Sequence, residues 1–161
     1  MKSGMKLKDT ALVTLNLEIK KLHPEANLPT KANPADAGLD LYCFPKNGSP
    51  YAEIAPGKSA LVGTGISVSI PEGYFGYIRS RSGLASKNHL EVGAGVVDGG
   101  YTGEVCVLLR NHGDRIQYLV AGDRIAQLLI LPVPKVNVVE VKEFTTVVGE
   151  RGDGGWGSSG K

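Results

Sequence analysis

The sequence predicts an all-β fold, a jelly-roll-like β barrel that carries one short helix and ends in a flexible C-terminal arm. Three observations predict it. Apolar residues alternate with polar ones at a period of two in segment after segment, a spacing that a 3.6-residue helical repeat does not produce. Clusters of Gly, Pro, Asn and Asp separate those segments, as expected of many short strands in a sandwich, jelly roll or barrel. Glycine is in excess, 22 of 161 residues where about 7% is ordinary, and six of these glycines (149, 152, 154, 155, 157 and 160) crowd the C-terminal end.

Taken in order, residues 1–10 read as a loose leader, basic but without the apolar block of a signal peptide, so secretion is not expected. The β core is expected over residues 11–145. Val13, Leu15, Leu17 and Ile19 alternate with polar neighbours and predict the first strand; Ile66, Val68 and Ile70 repeat the pattern. Residues 82–90 (Ser-Gly-Leu-Ala-Ser-Lys-Asn-His-Leu) place helix formers behind a serine able to cap them, and predict the one helix. Val105, Val107 and Leu109 give another strand, as do Ile116, Tyr118 and Val120. Residues 124–131 read as a more fully buried strand, and residues 136–141 as the last. Turns are expected at 45–50, 56–57, 71–73, 98–100, 111–114 and 121–123. Residues 146–161 form a glycine-rich arm that cannot bury enough surface to fold alone. The arm nevertheless carries Arg151 and the only tryptophan, Trp156, whose exposed ring suits stacking on a ligand.

A chain of 161 residues fits one domain. Net charge is +2, from 18 basic and 16 acidic side chains, so no global field points to a nucleic acid or a membrane. The longest apolar run, residues 128–133, is far too short to span a bilayer. Cys43 and Cys106 are far apart and lack CxxC spacing, which argues against a disulfide or zinc scaffold and is compatible with an intracellular compartment. No P-loop, Rossmann fingerprint or G-x-S-x-G is present, and His23, His89 and His112 are isolated. All six arginines (79, 81, 110, 115, 124 and 151) lie in the second half. Their forked donors suit an anion reader, although surface salt bridges would use them equally well.

Arg81 and Ser82 stand at the start of the expected helix, where free N–H groups and the helix dipole favour phosphate; a plain capped helix is the alternative. Arg151, Ser158 and Ser159 lie on the arm, whose backbone amides could wrap anionic oxygens. Two carboxylates sit among turn formers. Asp98 precedes glycine, which suits either a hairpin turn or a base that activates water. Asp40 suits either a strand edge or a ligand contact.

Five segments in fixed order resemble the trimeric deoxyuridine triphosphatase (dUTPase) family: Ala37-Gly-Leu-Asp-Leu-Tyr42, Arg81-Ser-Gly-Leu-Ala85, residues 93–105 (Gly-Ala-Gly-Val-Val-Asp-Gly-Gly-Tyr-Thr-Gly-Glu-Val), Gly122-Asp-Arg-Ile-Ala-Gln127, and residues 151–160. The resemblance implies a jelly-roll homotrimer with active sites shared between subunits, hydrolysing dUTP to dUMP and pyrophosphate with Mg²⁺. It implies that Asp98 is the base for water attack on the α-phosphorus, and that Tyr101 packs on the deoxyribose and rejects a 2′-hydroxyl. Gly95, Val96 and Val97 would read uracil through the backbone. Arg81, Ser82, Gly83 and Gln127 would hold phosphate oxygens, and Asp40 would contact Mg²⁺ through water. Arg151 would clamp the terminal phosphate with help from Gly157, Ser158 and Ser159, while Trp156 stacks on uracil. Three positions depart from the family pattern. Trp156 replaces the usual Phe, Ser159 a common Thr, and Asp153 a small or neutral residue, which is expected to weaken arm closure modestly. The alternatives are an enzyme resembling dCTP deaminase and a nucleotide-gated interaction protein.

Overall fold

The computed structural model describes residues 14–46 and 48–145; the leader, Asn47 and the arm from residue 146 lie outside it. Ten strands and one helix follow one another as β1 (Glu18–Lys21), β2 (Leu39–Tyr42), β3 (Tyr51–Ile54), β4 (Ser59–Ser69), β5 (Tyr74–Arg79), α1 (Ser82–Asn88), β6 (Leu90–Val92), β7 (Val96–Val97), β8 (Glu104–Asn111), β9 (Gln117–Val120) and β10 (Arg124–Pro132). They build a jelly-roll-like all-β fold from two four-stranded sheets, ordered β1-β4-β8-β6 and β2-β10-β5-β7, with a small β3-β9 ribbon. All pairings between named strands are antiparallel. That leaves one face of each sheet free to bury alternate side chains.

Those side chains form the core. Leu41, Ile78, Ala126 and Leu128 from one sheet meet Val62, Ile66, Val68, Val105, Val107 and Leu109 from the other. Fully burying an aliphatic side chain of this size is worth about 1.5–3 kcal/mol. Buried polar groups are paired. Thr64 Oγ1 donates to the Val105 carbonyl, and the Asn111 amide donates to the carbonyls of Ile54 and Arg115 while its oxygen accepts from Gly113 N–H.

Four local expectations change. The first strand is shorter and shifted: β1 starts at Glu18, which faces Ser69 at the end of β4, so residues 14–17 have no strand to pair with. Val13 lies outside the described residues. In β9 the phase is opposite to that expected. Leu119 is buried, whereas Tyr118 and Val120 are exposed, as is Ile116 just before the strand. Pairing of Ala52 with Leu119 turns that side chain inward, and Tyr118 instead meets Tyr51 edge-to-face at 5.0 Å on the outside. Both phases of this segment are apolar, so register decides between them.

Residues 136–141 form no strand: β10 ends at Pro132, and Val136, Val138 and Val139 project into solvent. The helix stops at Asn88, with His89 in the left-handed region at φ 53° and Leu90 already in β6. Its N-cap is Arg81, in extended conformation and without a side-chain capping bond, so Ser82 is the first helical residue and not the cap.

Candidate active site

Two clusters of the expected residues form, one at each edge of the β2-β10-β5-β7 sheet. At the β2 edge, Asp40, Arg81, Ser82, Gly83 and Gln127 line one cavity of about 320 Å³ together with Asp36 and Gly38. Register explains the meeting: Gln127 in β10 faces Asp40 in β2 on one side and Arg79 at the end of β5 on the other. The chain then turns at Ser80 into the helix and brings Arg81 back over Asp40. Ser80 fixes this corner, its carbonyl accepting from Gln127 Nε2 at 3.0 Å and its Oγ from Val92 N–H at 2.9 Å.

Charge in this cavity is organised around one carboxylate. Asp40 Oδ1 accepts from Arg81 Nε at 2.8 Å, and Oδ2 from Arg124 Nη1 at 3.3 Å. Arg81 Nη1 also donates to the Arg124 carbonyl at 3.2 Å. Two guanidinium groups on one carboxylate leave the trio net positive, and each guanidinium has five N–H donors of which these bonds use few. The arrangement holds Arg81 still and leaves it able to take an anion. Arg124 was not assigned a role from the sequence. The available signal was its place in Gly122-Asp-Arg-Ile-Ala-Gln127, three residues before Gln127.

At the β7 edge, Gly95, Val96, Val97, Asp98 and Tyr101 line a second cavity of about 470 Å³, together with Lys46, Glu104 and Cys106. A tight approach positions this hairpin. Ile78 N–H donates to the Gly95 carbonyl at 2.7 Å, and a Cβ on residue 95 would collide with the Ile78 carbonyl oxygen. Beyond it, β7 pairs with β5 through Gly76–Val97 and Tyr77–Val96 and is the outermost strand of its sheet. An edge strand presents backbone donors and acceptors on its open side, the chemistry needed to read a planar base edge. Val97 is buried, so it serves the cavity through its backbone, while the Val96 side chain is 66% exposed.

Asp98 is exposed and begins a turn closed by Tyr101 N–H donating to the Asp98 carbonyl at 3.0 Å. The turn reading and the chemical reading of Asp98 are therefore compatible. Tyr101 folds over Gly103 and donates its hydroxyl to the Glu104 carbonyl at 2.9 Å. Neither thiol is poised as a nucleophile: burial, then Asp123, pushes Cys43 up to about 12, and burial with Glu104 raises Cys106. Arg151, Trp156, Gly157, Ser158 and Ser159 lie outside the described residues.

The two cavities share no lining residue. One chain thus presents two separate cavities, one lined by Asp40 and Arg81, the other by the open edge strand and Asp98.

The dUTPase family pattern matches residues 24–160, which covers all of the segments lining both cavities. The chain belongs to the dUTPase family. As a dUTPase it is a hydrolase of nucleotide metabolism, a dUTP diphosphatase. It is 48% identical over 135 residues to the deoxyuridine 5'-triphosphate nucleotidohydrolase of Gloeobacter violaceus, covering 83% of this chain and 88% of that one. It is 45% identical over 143 residues to the protein of that name from Arabidopsis thaliana, covering 89% and 82%. Among solved structures, a mutant of the Staphylococcus bacteriophage 80alpha dUTPase with dUpNHpp superposes with a TM-score of 0.83 at 31% identity, covering 92% of this chain and all of that one. A mutant dUTPase of phage phi11 of S. aureus, described with a structural Mg(II) ion, gives 0.74 at 28% identity over 82% of this chain and all of that one.

Proposed function

We infer that the chain hydrolyses dUTP to dUMP and pyrophosphate in a homotrimer, at sites each built from more than one copy, inside the cell. The observation that carries this reading is the split site. A nucleoside triphosphate needs an anion cradle and a base reader together, and each chain offers them at opposite edges of a four-stranded sheet, about 14 Å apart by strand spacing alone. Between them the outer face is apolar: Leu129, Tyr77 and Val96 form one row across the strands, and Leu131 and Phe75 the next. Such a strip suits a second copy better than a triphosphate.

In this reading the backbone of residues 95–97 recognises uracil, Tyr101 packs on the deoxyribose, and Asp98 takes a proton from the attacking water. The water oxygen bonds to the α-phosphorus, the bond to the bridging α–β oxygen breaks, and pyrophosphate leaves. Arg81, Ser82 with the helix-start backbone, Gly83 and Gln127 hold phosphate oxygens, with Arg81 pre-oriented by Asp40. Arg151, Ser158 and Ser159 complete the phosphate cradle, and Trp156 stacks on the base.

Mg²⁺ fits the donor set in one way only. Among the described residues no three metal-ligating side chains converge, and both oxygens of Asp40 already accept from arginine. The ion would therefore be held by the triphosphate and its own waters, with a remaining Asp40 lone pair facing one of them. When bound it neutralises charge on the phosphate chain.

The test is a product assay on dUTP, UTP, dCTP and dTTP with the wild type and Asp98→Asn. dUMP and pyrophosphate are expected from dUTP, and Asp98→Asn should lower kcat by at least about 10²-fold while a non-hydrolysable analogue still binds. Near-normal turnover by Asp98→Asn would remove it from the mechanism; ammonia released from dCTP would replace the reaction assigned.

A further inference from the structure

The second cavity contains a charged group that the proposed chemistry does not use. Glu104 and Lys46 line it beside Asp98 and Tyr101, joined by a bond of 3.1 Å between Lys46 Nζ and Glu104 Oε2. A surface ion pair alone would mean little. This one is tied into the backbone beneath the hairpin. Glu104 Oε1 accepts from Gly65 N–H at 2.9 Å. Gly65 lies at φ +68°, inside the stretch between Gly63 and Ser67 where the pairing of β4 with β8 slips. In that slip the strand partner does not take the Gly65 N–H, and the Glu104 carboxylate crosses over to accept from it.

The same residue seats Tyr101. Its backbone carbonyl accepts the Tyr101 hydroxyl at 2.9 Å, and the ring lies over Gly103, where a Cβ would come within 2.5 Å of the hydroxyl oxygen. The position of the Tyr101 ring therefore depends on where the backbone at 104 lies, which is held by its pairing with Ser67 and, through the side chain, by the carboxylate anchored on Gly65 and Lys46. A second anchor of the same loop, Ser67 Oγ donating to the Thr102 carbonyl at 2.7 Å, holds the loop without touching Tyr101 or the Glu104 carboxylate.

We propose that Glu104 is a positioning residue for sugar selection: by fixing the backbone that holds the Tyr101 hydroxyl, it sets the gap between the tyrosine ring and the 2′ position of the nucleotide. This rests on the reading of Tyr101 as the residue facing the deoxyribose. A ring displaced by a fraction of an ångström would admit a 2′-hydroxyl, so the loss should fall on discrimination and on KM more than on kcat.

The experiment compares kcat/KM for dUTP with that for UTP in the full-length protein and in Glu104→Ala, Glu104→Gln, Tyr101→Phe, Tyr101→Ala and Ser67→Ala. Glu104→Ala is expected to lower the dUTP/UTP ratio on the order of tenfold, chiefly through KM. Glu104→Gln, which keeps an acceptor for Gly65 N–H, should recover part of it. Tyr101→Phe keeps the ring and loses only its bond to Glu104, so it should move the ratio in the same direction even if Glu104→Ala does not fold. Ser67→Ala should lower thermal stability and leave the ratio alone. An unchanged ratio in Tyr101→Phe, or in a folded Glu104→Ala, while Tyr101→Ala loses selectivity, would overturn the role of Glu104 and leave that of Tyr101 standing. Unchanged selectivity in Tyr101→Ala would sink both.

Discussion

Glu104 shows how one side chain can be held ionised by neighbours that work against its burial. Partial burial pushes its carboxyl upward, but the Gly65 N–H and the Lys46 ammonium together outweigh that, and the group sits below its ordinary value of 4.5. Lys46 is raised in turn, first by its bond to Glu104. A carboxylate with a depressed folded pKa stabilises the fold fully above the unfolded value and loses that contribution as pH falls through the folded one. Thermal melts of the wild type should therefore decline below about pH 4.5 more steeply than those of Glu104→Gln, the two curves converging at lower pH. Parallel curves from pH 7 to 3 would show that the carboxylate carries no linked stability. The sequence assigned no role to Glu104 or Arg124, although both lie in segments that carry the family resemblance. Their importance comes from partners at positions 65 and 40, on neighbouring strands distant in sequence, contacts that no local spacing encodes. Asp40 and Asp98 stood out as candidates because each carboxylate sits among turn formers.

Strands and turns make their own demands, and the hairpin around Gly95 makes the sharpest. Its carbonyl accepts Ile78 N–H, and its missing Cβ is what lets the two backbones meet. Replacing it with alanine forces the segment leading into β7 away from β5, an overpacking that costs about 1–3 kcal/mol and displaces the proposed base reader. Gly95→Ala is expected to raise KM for dUTP about tenfold or more, with a smaller effect on kcat. Titration with a non-hydrolysable analogue checks it, and unaltered affinity would show that this edge strand does not read the base. The helix and the strands β1, β4, β8, β9 and β10 were visible in the sequence, the strands because period-two alternation follows directly from a half-buried strand. In contrast, β2, β3, β5, β6 and β7 are too short or too irregular in pattern to have been singled out. Even for the visible strands, phase and ends were not legible. The β9 segment is apolar on both phases and its register is chosen by β3, while residues 136–141 alternate like a strand but have none beside them among the described residues.

The whole molecule is organised by the outer face of the β2-β10-β5-β7 sheet. Its rows run from the polar Asp40, Gln127 and Arg79 to the apolar Leu129, Tyr77 and Val96. Since the two cavities share no residue, a site completed between copies should tolerate two different lesions in two different chains. Arg81→Ala disables the anion half and Asp98→Asn the hairpin half, so each homogeneous oligomer should be nearly inactive. Co-expressed in equal amounts, the two variants assort at random. If each site takes its hairpin from one chain and its anion cradle from another, about one quarter of sites then combine two intact halves. Activity should return to about that fraction of wild type in the unfractionated mixture, and to about one third in mixed trimers purified through two different affinity tags, where one site in three combines the intact halves. Sites contained in one chain would give no recovery, because every chain would carry its own lesion. The mixed oligomers thus separate a merely oligomeric enzyme from one whose subunits are each half of an active site.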